Sequence, residues 1–585
     1  MWLIVVVVSS TAVAGAEGAL FEPGVVAPVT GVRFACCLRL PLVVAAAAKP
    51  SASGDRHGRR PAGGALMAVA GGPVPPNGAT EGVGQDWAGE KVLNGRVWRV
   101  AAWAAGFVVV FALLAAWSLA TPKYAAPDEP AHAYRAASLV RGQLLGSPVK
   151  PPGDPRVVVE VPATLTAVGP GCFAFKSEVP ASCMLGWTGR PGSRLVATYT
   201  GRYPPLYYLV VGVPSLLTTG GSMLLWMRLA GDVVNALFLT VGFAMLRRQR
   251  SPWAVAGGAV AVTPMVLFTG SVINPSGLEI CSAFALWCSL LAVLRAPTAG
   301  IKSSLIWAAV AAAVMESTRG LSPVLMAVTL AAVAAVAGRA QLLELGRRRQ
   351  VRVAGVALLA VGVLAAAWTL AAGALRLAPV SPIPATVSSS RILQAVLVKD
   401  SRVEQLVGVF GWLDTPVPQW IVTLWVVATV TLLSGAAVHR AWPTLAVAFT
   451  LLLMCFAVLA AGDILQARTL GLVSQGRYVL PLALGVPLLA GAAIGWRGRR
   501  AQIVAHLVMG AVAIGQIRSF TDALQRYSTG LPPQLPLRHG MWSPPLGGPV
   551  LTAMLIAALI AALVAPQLLS RASLRRPHHE VLAAS

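Results

Sequence analysis

Apolar and polar positions in this chain come in long blocks rather than in fine alternation. From Arg96 onward, apolar runs are separated by short polar segments. Their usual length, about 20 residues, is what a helix needs to cross the hydrocarbon core of a bilayer. The pattern predicts spans near 99–120, 223–246, 252–272, 276–295, 303–318, 321–338, 353–372, 419–438, 442–461, 477–495, 502–518 and 548–569, about 12 transmembrane helices. One further apolar segment, Pro204 to Leu217, is too short to cross and contains Pro214. We read it as an interfacial or re-entrant helix. The expected fold is an all-α integral membrane protein with a long first loop, 121–222, that carries this helix.

Composition agrees. Of 585 residues, 56% are hydrophobic and only 11% charged, where a soluble protein carries about 25% charged residues. Residues 1–95 stand apart from the polytopic part, 96–570. Leu3 to Val8 form a short apolar run that resembles a signal peptide, yet no basic residue precedes it. Residues 49–90 are rich in Pro, Gly, Ala and Ser, a composition that cannot bury enough apolar surface to order itself. This extension is expected to be disordered or an artefact of start-site assignment, with Met67 the candidate initiator.

The net charge is +25, and its placement says more than its size. Arg96 and Arg99 precede the first span. With twelve spans, Arg247, Arg248 and Arg250 fall on the same side, as do Arg295 with Lys302, Arg347 to Arg349 with Arg352, Arg440, Arg497 with Arg499 and Arg500, and the basic tail 571–585. Basic loops face the cytoplasm, so both termini are expected there and 121–222 becomes the first extracytoplasmic loop. Counting 204–217 as a span would invert every later loop. No stretch interleaves Lys or Arg with exposed aromatics, so nucleic acid is not an expected partner. Seven Cys show no CxxC pair and no His at ligand spacing, which leaves zinc unsupported. Cys172 and Cys183, both in the first outer loop, are a disulfide candidate.

With that orientation the unusual polar residues gather on the outer side. Pro127-Asp128-Glu129-Pro130 follows directly on the first span, with His132 and Arg135 close behind. Arg202 and Tyr203 precede the interfacial helix, and Arg228 and Asp232 lie one turn apart near the outer end of the second span. Asn274 and Glu279 flank the next hairpin, Glu316 and Arg319 end the fifth span, Asp414 precedes the eighth, and Arg477-Tyr478 begins the tenth. A charge at the centre of a membrane helix costs about 2.5–3.5 kcal/mol on insertion scales. Several such groups at one level suggest a polar cavity open to the outer surface. Each also has a plainer reading. Asp128 could cap a helix, Arg228–Asp232 and Glu316–Arg319 could be internal ion pairs, His132 could be structural, and Arg477-Tyr478 could anchor the interface.

A carboxylate at this boundary can serve as a general base or hold a divalent cation, and arginines beside it can grip a phosphate. Together they describe sugar transfer from a lipid-linked donor. There is no Walker A motif and no GxGxxG after a strand, so no nucleotide site is expected.

The Asp-Glu pair, Tyr203-Pro204-Pro205-Leu206-Tyr207-Tyr208, Trp226-Met227-Arg228-Leu229, Thr263-Pro264-Met265 through Asn274-Pro275, Gly411-Trp412-Leu413-Asp414 and Gln475-Gly476-Arg477-Tyr478-Val479-Leu480-Pro481 occur in this order. Over roughly 98–520 they resemble an uncharacterised bacterial family of multi-pass membrane proteins, which in turn resembles the C-type (GT-C) glycosyltransferases that use polyprenyl-phosphate sugars. The resemblance implies Asp128 as catalytic carboxylate with Glu129 as its support or metal ligand, and Arg477, with Tyr478, on the lipid phosphate. Their shared placement on the outer side makes His132, Arg135, Arg202, Tyr203, Arg228, Asp232, Asn274 and Asp414 further substrate-binding candidates. The resemblance leaves open a divalent cation, Mg or Mn, held by Asp128 and Glu129. The expected activity is transfer of a hexose or pentose from a polyprenyl-phosphate donor to an envelope glycan, lipid or protein at the outer face of a bacterial plasma membrane. The alternative is a transporter or flippase of a lipid-linked envelope precursor. No large soluble C-terminal domain follows the last span, so no added module names the acceptor.

Overall fold

Inside a bilayer no water is available to backbone N–H and C=O groups, so each apolar run must satisfy its own by forming a helix. The computed structural model describes residues 81–149, 154–166, 169–184, 190–295, 301–375, 381–399, 401–531 and 542–574. Helix α1 (Glu81–Ala120) carries the apolar stretch Val100–Ala120. It begins at Glu81, so residues 81–95, expected in a disordered extension, are helical; residues 1–80 lie outside the described residues.

The first loop holds helix α2 (Glu129–Leu139) and a three-stranded antiparallel sheet of β1 (Ser147–Pro148), β2 (Val157–Pro162) and β3 (Ser193–Thr198) in that order, with Val157 opposite Thr198. A Cys172–Cys183 disulfide closes the β2–β3 connection. Two short helices follow, α3 (Leu206–Gly212) and α4 (Pro214–Leu217). They bury Tyr207, Tyr208 and Val211 and expose Leu206, Leu209, Val210, Val213, Leu216 and Leu217, the one-sided pattern of an interfacial helix. Gly212 is pressed against α2: a Cβ there would meet the Ala136 carbonyl.

Beyond lie α5 (Met223–Arg248), α6 (Pro252–Ala261), α7 (Pro264–Gly270), α8 (Pro275–Arg295), α9 (Ile301–Glu316), α10 (Ser322–Ala337), α11 (Arg339–Arg347) and α12 (Arg349–Ala371). A second loop contains α13 (Ser389–Leu397), α14 (Ser401–Val407) and the hairpin of β4 (Val409–Phe410) and β5 (Thr415–Pro416). Helices α15 (Gln419–Val438) and α16 (Trp442–Gln466) lead to a 3₁₀ turn, Gly476–Val479. Helices α17 (Leu480–Ala483), α18 (Gly485–Ala493), α19 (Arg499–Thr529) and α20 (Gly548–Leu574) complete the described chain.

Among the described residues, eight helical segments are long and apolar enough to cross a membrane, or ten if each of two bent pairs is one span. The protein is therefore a mostly helical, multi-pass membrane protein, with fewer full-length spans than the expected twelve. Predicted span 252–272 is one bent pair, and predicted span 321–338 is the first helix of the other, whose second helix, α11, lies beyond it. Helices α6 and α7 meet at 62°, and α10 and α11 at 115°. The first break falls just before Pro264, which cannot continue a helix ladder. The second falls at Gly338, whose φ of 77° suits only glycine readily. Predicted span 303–318 is α9, only 16 residues long. Predicted span 548–569 corresponds to α20, whose apolar stretch Gly548–Val564 is short as well.

Helix α8 is central, with 89% of its apolar window buried, whereas α12 is peripheral at 6%. The two ends of α5 differ in chemistry. At its C-terminal end Arg248 reaches Ser303 and Ser304, Arg295 donates to Gln249, and Trp253 stacks on Trp496. Arg228 lies near its other end, about 30 Å away at 1.5 Å per residue, the thickness of a hydrocarbon core. At that second end the acidic residues collect.

Candidate functional site

Helix α1 stops at Ala120, and the stretch to Asp128 has no regular structure. Its carbonyls are nevertheless occupied by side chains from distant parts of the chain. Arg228 Nη1 donates to Ser118 O at 3.0 Å and Thr121 O at 2.6 Å, and its Nη2 to Pro122 O at 2.9 Å. Trp412 Nε1 donates to Tyr124 O at 3.0 Å, the Tyr527 hydroxyl to Ala125 O at 3.2 Å, and Asn274 Nδ2 to Pro127 O at 3.4 Å. Below them Trp117, Phe268, Phe410 and Phe520 form an aromatic floor with ring centroids 4.9 to 5.8 Å apart. Held this way, Tyr124 and Asp128 adopt left-handed conformations, φ 59° and 66°. A non-glycine residue persists there only where its surroundings over-determine it, and such residues cluster at functional sites.

Asp128 occupies the N-cap position of α2, yet its side chain makes no capping bond. The carboxylate turns outward instead. Tyr199 Oη donates to Oδ1 at 2.6 Å and Arg477 Nη2 to Oδ2 at 2.9 Å. The Asp128 side chain remains 35% exposed while that of Arg477 is 3% exposed. Burial opposes its charge, but Arg477 and the Tyr199 hydroxyl outweigh this and hold the carboxyl below the usual aspartate range. The Tyr199 phenol is raised by its burial and by the neighbouring carboxylate.

Glu129, one residue on, faces the other way and is fully buried. Arg228 grips it with two hydrogen bonds of 2.7 Å, Nε to Oε1 and Nη2 to Oε2, and Ile273 N–H donates to Oε1 at 3.1 Å. Glu129, expected as catalytic support or metal ligand, is thus held by contacts within the fold. Its lone pairs serve a buried ion pair that fastens α2 to α5, and the two adjacent carboxylates do not converge. Among the described residues no group of three or more His, Cys, Asp or Glu is placed to hold a metal.

Around Asp128 the structure gathers residues from several helices. The Arg319 and Arg477 guanidinium carbons lie 5.0 and 5.5 Å from the centre of the Tyr478 ring. Arg319, 26% exposed, also donates to Ser276 Oγ at 2.9 Å and lies 3.4 Å from Glu279. Tyr203 shares this electrostatic neighbourhood; burial, then Tyr478 and Asp128, push its phenol up to about 12. His132 is buried, stacks on Tyr208 and has Nδ1 2.8 Å from the Tyr208 hydroxyl. Burial, reinforced by Arg319 and Arg477, pulls its imidazole down to about 3 against the attraction of Asp128.

Other expected site residues are structural in their contacts. Arg135 is buried and spends its guanidinium on the Leu144 and Tyr203 carbonyls. Arg202 reaches Ala372 O, and its own carbonyl accepts from Trp368. Asp414 pairs at 2.9 Å with Arg526, which also binds the carbonyls of Phe173, Lys176 and Val179 and so ties the disulfide loop to α19. Asn274 accepts from Ser276 N at the start of α8. Asp232 bonds to Ser118, not to Arg228. Arg319 pairs with Glu279 rather than with Glu316, whose two oxygens are buried without a hydrogen-bond partner among the described residues. Tyr199 is the site residue the sequence did not single out: it follows strand β3 with no motif around it. Arg319 was noted only for its i, i+3 spacing from Glu316.

Residues 111–486 match the family model described as "Predicted membrane protein (DUF2142)". No curated protein matches the chain.

Proposed function

Starting from the premise that the chain belongs to the DUF2142 family of predicted membrane proteins, we propose that it is a membrane glycosyltransferase. It moves a sugar from a polyprenyl-phosphate donor to an envelope acceptor at the extracytoplasmic face of a bacterial plasma membrane, with both termini in the cytoplasm. The observation that carries this reading is Asp128: a strained, half-exposed carboxylate at the membrane boundary, spared from helix capping and coupled to Arg477 and Tyr199.

In the proposed reaction the acceptor hydroxyl gives its proton to Asp128, and its oxygen attacks the anomeric carbon. The bond from that carbon to the phosphate oxygen breaks, and polyprenyl phosphate leaves with the electron pair. Arg477 and Arg319, both against Tyr478, stabilise the departing charge through charge-assisted hydrogen bonds. The Asp128–Arg477 contact makes base and donor site interdependent. Alone, Arg477 lowers the basicity of Asp128; a donor phosphate that engages Arg477 releases the carboxylate, so the base strengthens only when a donor is present.

The test uses purified protein with polyprenyl-phosphate sugars. Asp128→Asn is expected to lower transfer by about 10²–10⁴-fold, the usual contribution of a general base, with the melting temperature nearly unchanged. Undiminished turnover overturns the assignment. Movement of a lipid-linked precursor across vesicles without any covalent product would favour transport instead. Mass spectrometry of envelope glycans after gene deletion would name the sugar through loss of one residue and accumulation of its donor.

A further inference from the structure

Asp232 is an intramembrane carboxyl that the reaction above does not use. Its spacing from Arg228 on α5 suggested an ion pair, but Arg228 is spent on Glu129 and on three carbonyls. Asp232 Oδ2 lies 2.7 Å from Ser118 Oγ, and the same Ser118 Oγ lies 2.6 Å from the carbonyl oxygen of Ser271. A serine hydroxyl has one hydrogen, whereas an ionised carboxylate and a carbonyl are acceptors only. With an ionised Asp232, one of these two short oxygen–oxygen contacts would hold no hydrogen. Among the described residues Oδ1 of Asp232 is buried with no hydrogen-bond partner, a second feature that fits a neutral carboxyl better than a carboxylate.

We propose that Asp232 acts as a hydrogen-bond donor, in a relay from Asp232 Oδ2–H to Ser118 Oγ and from Ser118 Oγ–H to Ser271 O, and that this relay positions the Asp128 turn. The connection runs through the α7–α8 hairpin. On the same helix, Asn235 Nδ2 donates to Gly270 O at 2.7 Å, so α5 and α1 together fix two successive hairpin carbonyls. The hairpin then presents Ile273 N–H to Glu129 and Asn274 Nδ2 to Pro127 O, the residues on either side of Asp128. The titratable and charged groups that face Asp232 are Arg228 on α5, Tyr207 on α3 and Cys281 on α8. None of them donates a hydrogen bond to Oδ1. The proposal is independent of which reaction Asp128 serves.

The test compares Asp232→Asn, Asp232→Leu and Ser118→Ala in the full-length protein in detergent. Asparagine keeps the size and the donor but cannot carry a charge. Hydrogen–deuterium exchange is followed in peptides covering residues 121–135, beside the melting temperature. Infrared difference spectra of wild type against Asp232→Asn report a protonated carboxyl. The expected result is native-like exchange in Asp232→Asn and exchange about tenfold faster or more in this segment in Asp232→Leu and Ser118→Ala, the scale of losing one buried hydrogen bond. The difference spectrum should show a carboxylic-acid band. If Asp232→Leu fails to fold, Ser118→Ala alone carries the positioning arm. Asparagine as damaging as leucine, or a carboxylate band in place of the acid band, would overturn the donor role. Unchanged exchange in Ser118→Ala would overturn the positioning role.

Discussion

Asp128 and Glu129 are chemically similar neighbours separated by their surroundings. Glu129 neutralises a buried guanidinium, so Glu129→Gln should leave Arg228 charged and unpaired and cost about 3–5 kcal/mol of stability. Asp128 is partly solvated, so Asp128→Asn should cost less stability than Glu129→Gln while removing activity. Denaturation and turnover measured on both variants separate the roles; equal stability losses would contradict this division. His132 gives a pH signature. In the fold its imidazole stays neutral down to about 3, while in the unfolded chain it takes up a proton near its ordinary 6.5. Between those values the unfolded state binds more protons, so this residue makes stability rise with pH across that window and contributes no slope above it. His132→Gln keeps a hydrogen-bonding group near Tyr208 and should shrink the difference in melting temperature between about pH 7 and pH 5. The low pKa of Asp128 acts with the same sign in a window that starts lower, at 3.8, and runs downward from there.

At the scale of elements, close helix approach depends on missing side chains. A Cβ at Gly257 on α6 would lie 2.5 Å from the carbonyl oxygen of Pro487 on α18. Both are backbone-constrained, so neither can yield cheaply. Gly257→Val should lower stability by about 1–3 kcal/mol or more through overpacking, read as a lower melting temperature in detergent. A melting curve matching wild type would mean that the crossing can relax. The bent pairs belong to this scale too. A run of hydropathy has the right length at 252–272, but Pro264 and the loss of helical bonding at Val262–Thr263 bend it by 62°. The break puts Thr263 where its hydroxyl donates to Leu406 O at 2.8 Å. Periodicity sees apolar content and cannot see that bend.

At the scale of the molecule, Arg248 and Arg295 gather at one end of α5 and the Glu129–Arg228 pair at the other, and the proposed orientation, following the positive-inside rule, puts the basic end in the cytoplasm. A single cysteine introduced at Leu195 on β3, which is 74% exposed, should react with an impermeant thiol reagent added outside intact cells. One at Arg250, beside the basic end, should react only after lysis; the reverse pattern would invert the topology. The membrane class and the apolar helices were legible in the sequence, because each helix satisfies its own backbone and its hydropathy is local. The awkward placement of Asp128 and Arg477, charged residues beside apolar runs, was legible too. Their pairing was not, since 349 positions separate them. Local spacing even misled: Arg228 and Asp232 at i, i+4 and Glu316 and Arg319 at i, i+3 looked like pairs, yet each arginine found its carboxylate on another helix. Sequence alone determined which groups must avoid lipid. Only the tertiary structure decided which of them neutralise one another and which carboxylate is left open, because that depends on what the packing of distant helices brings within about 3 Å.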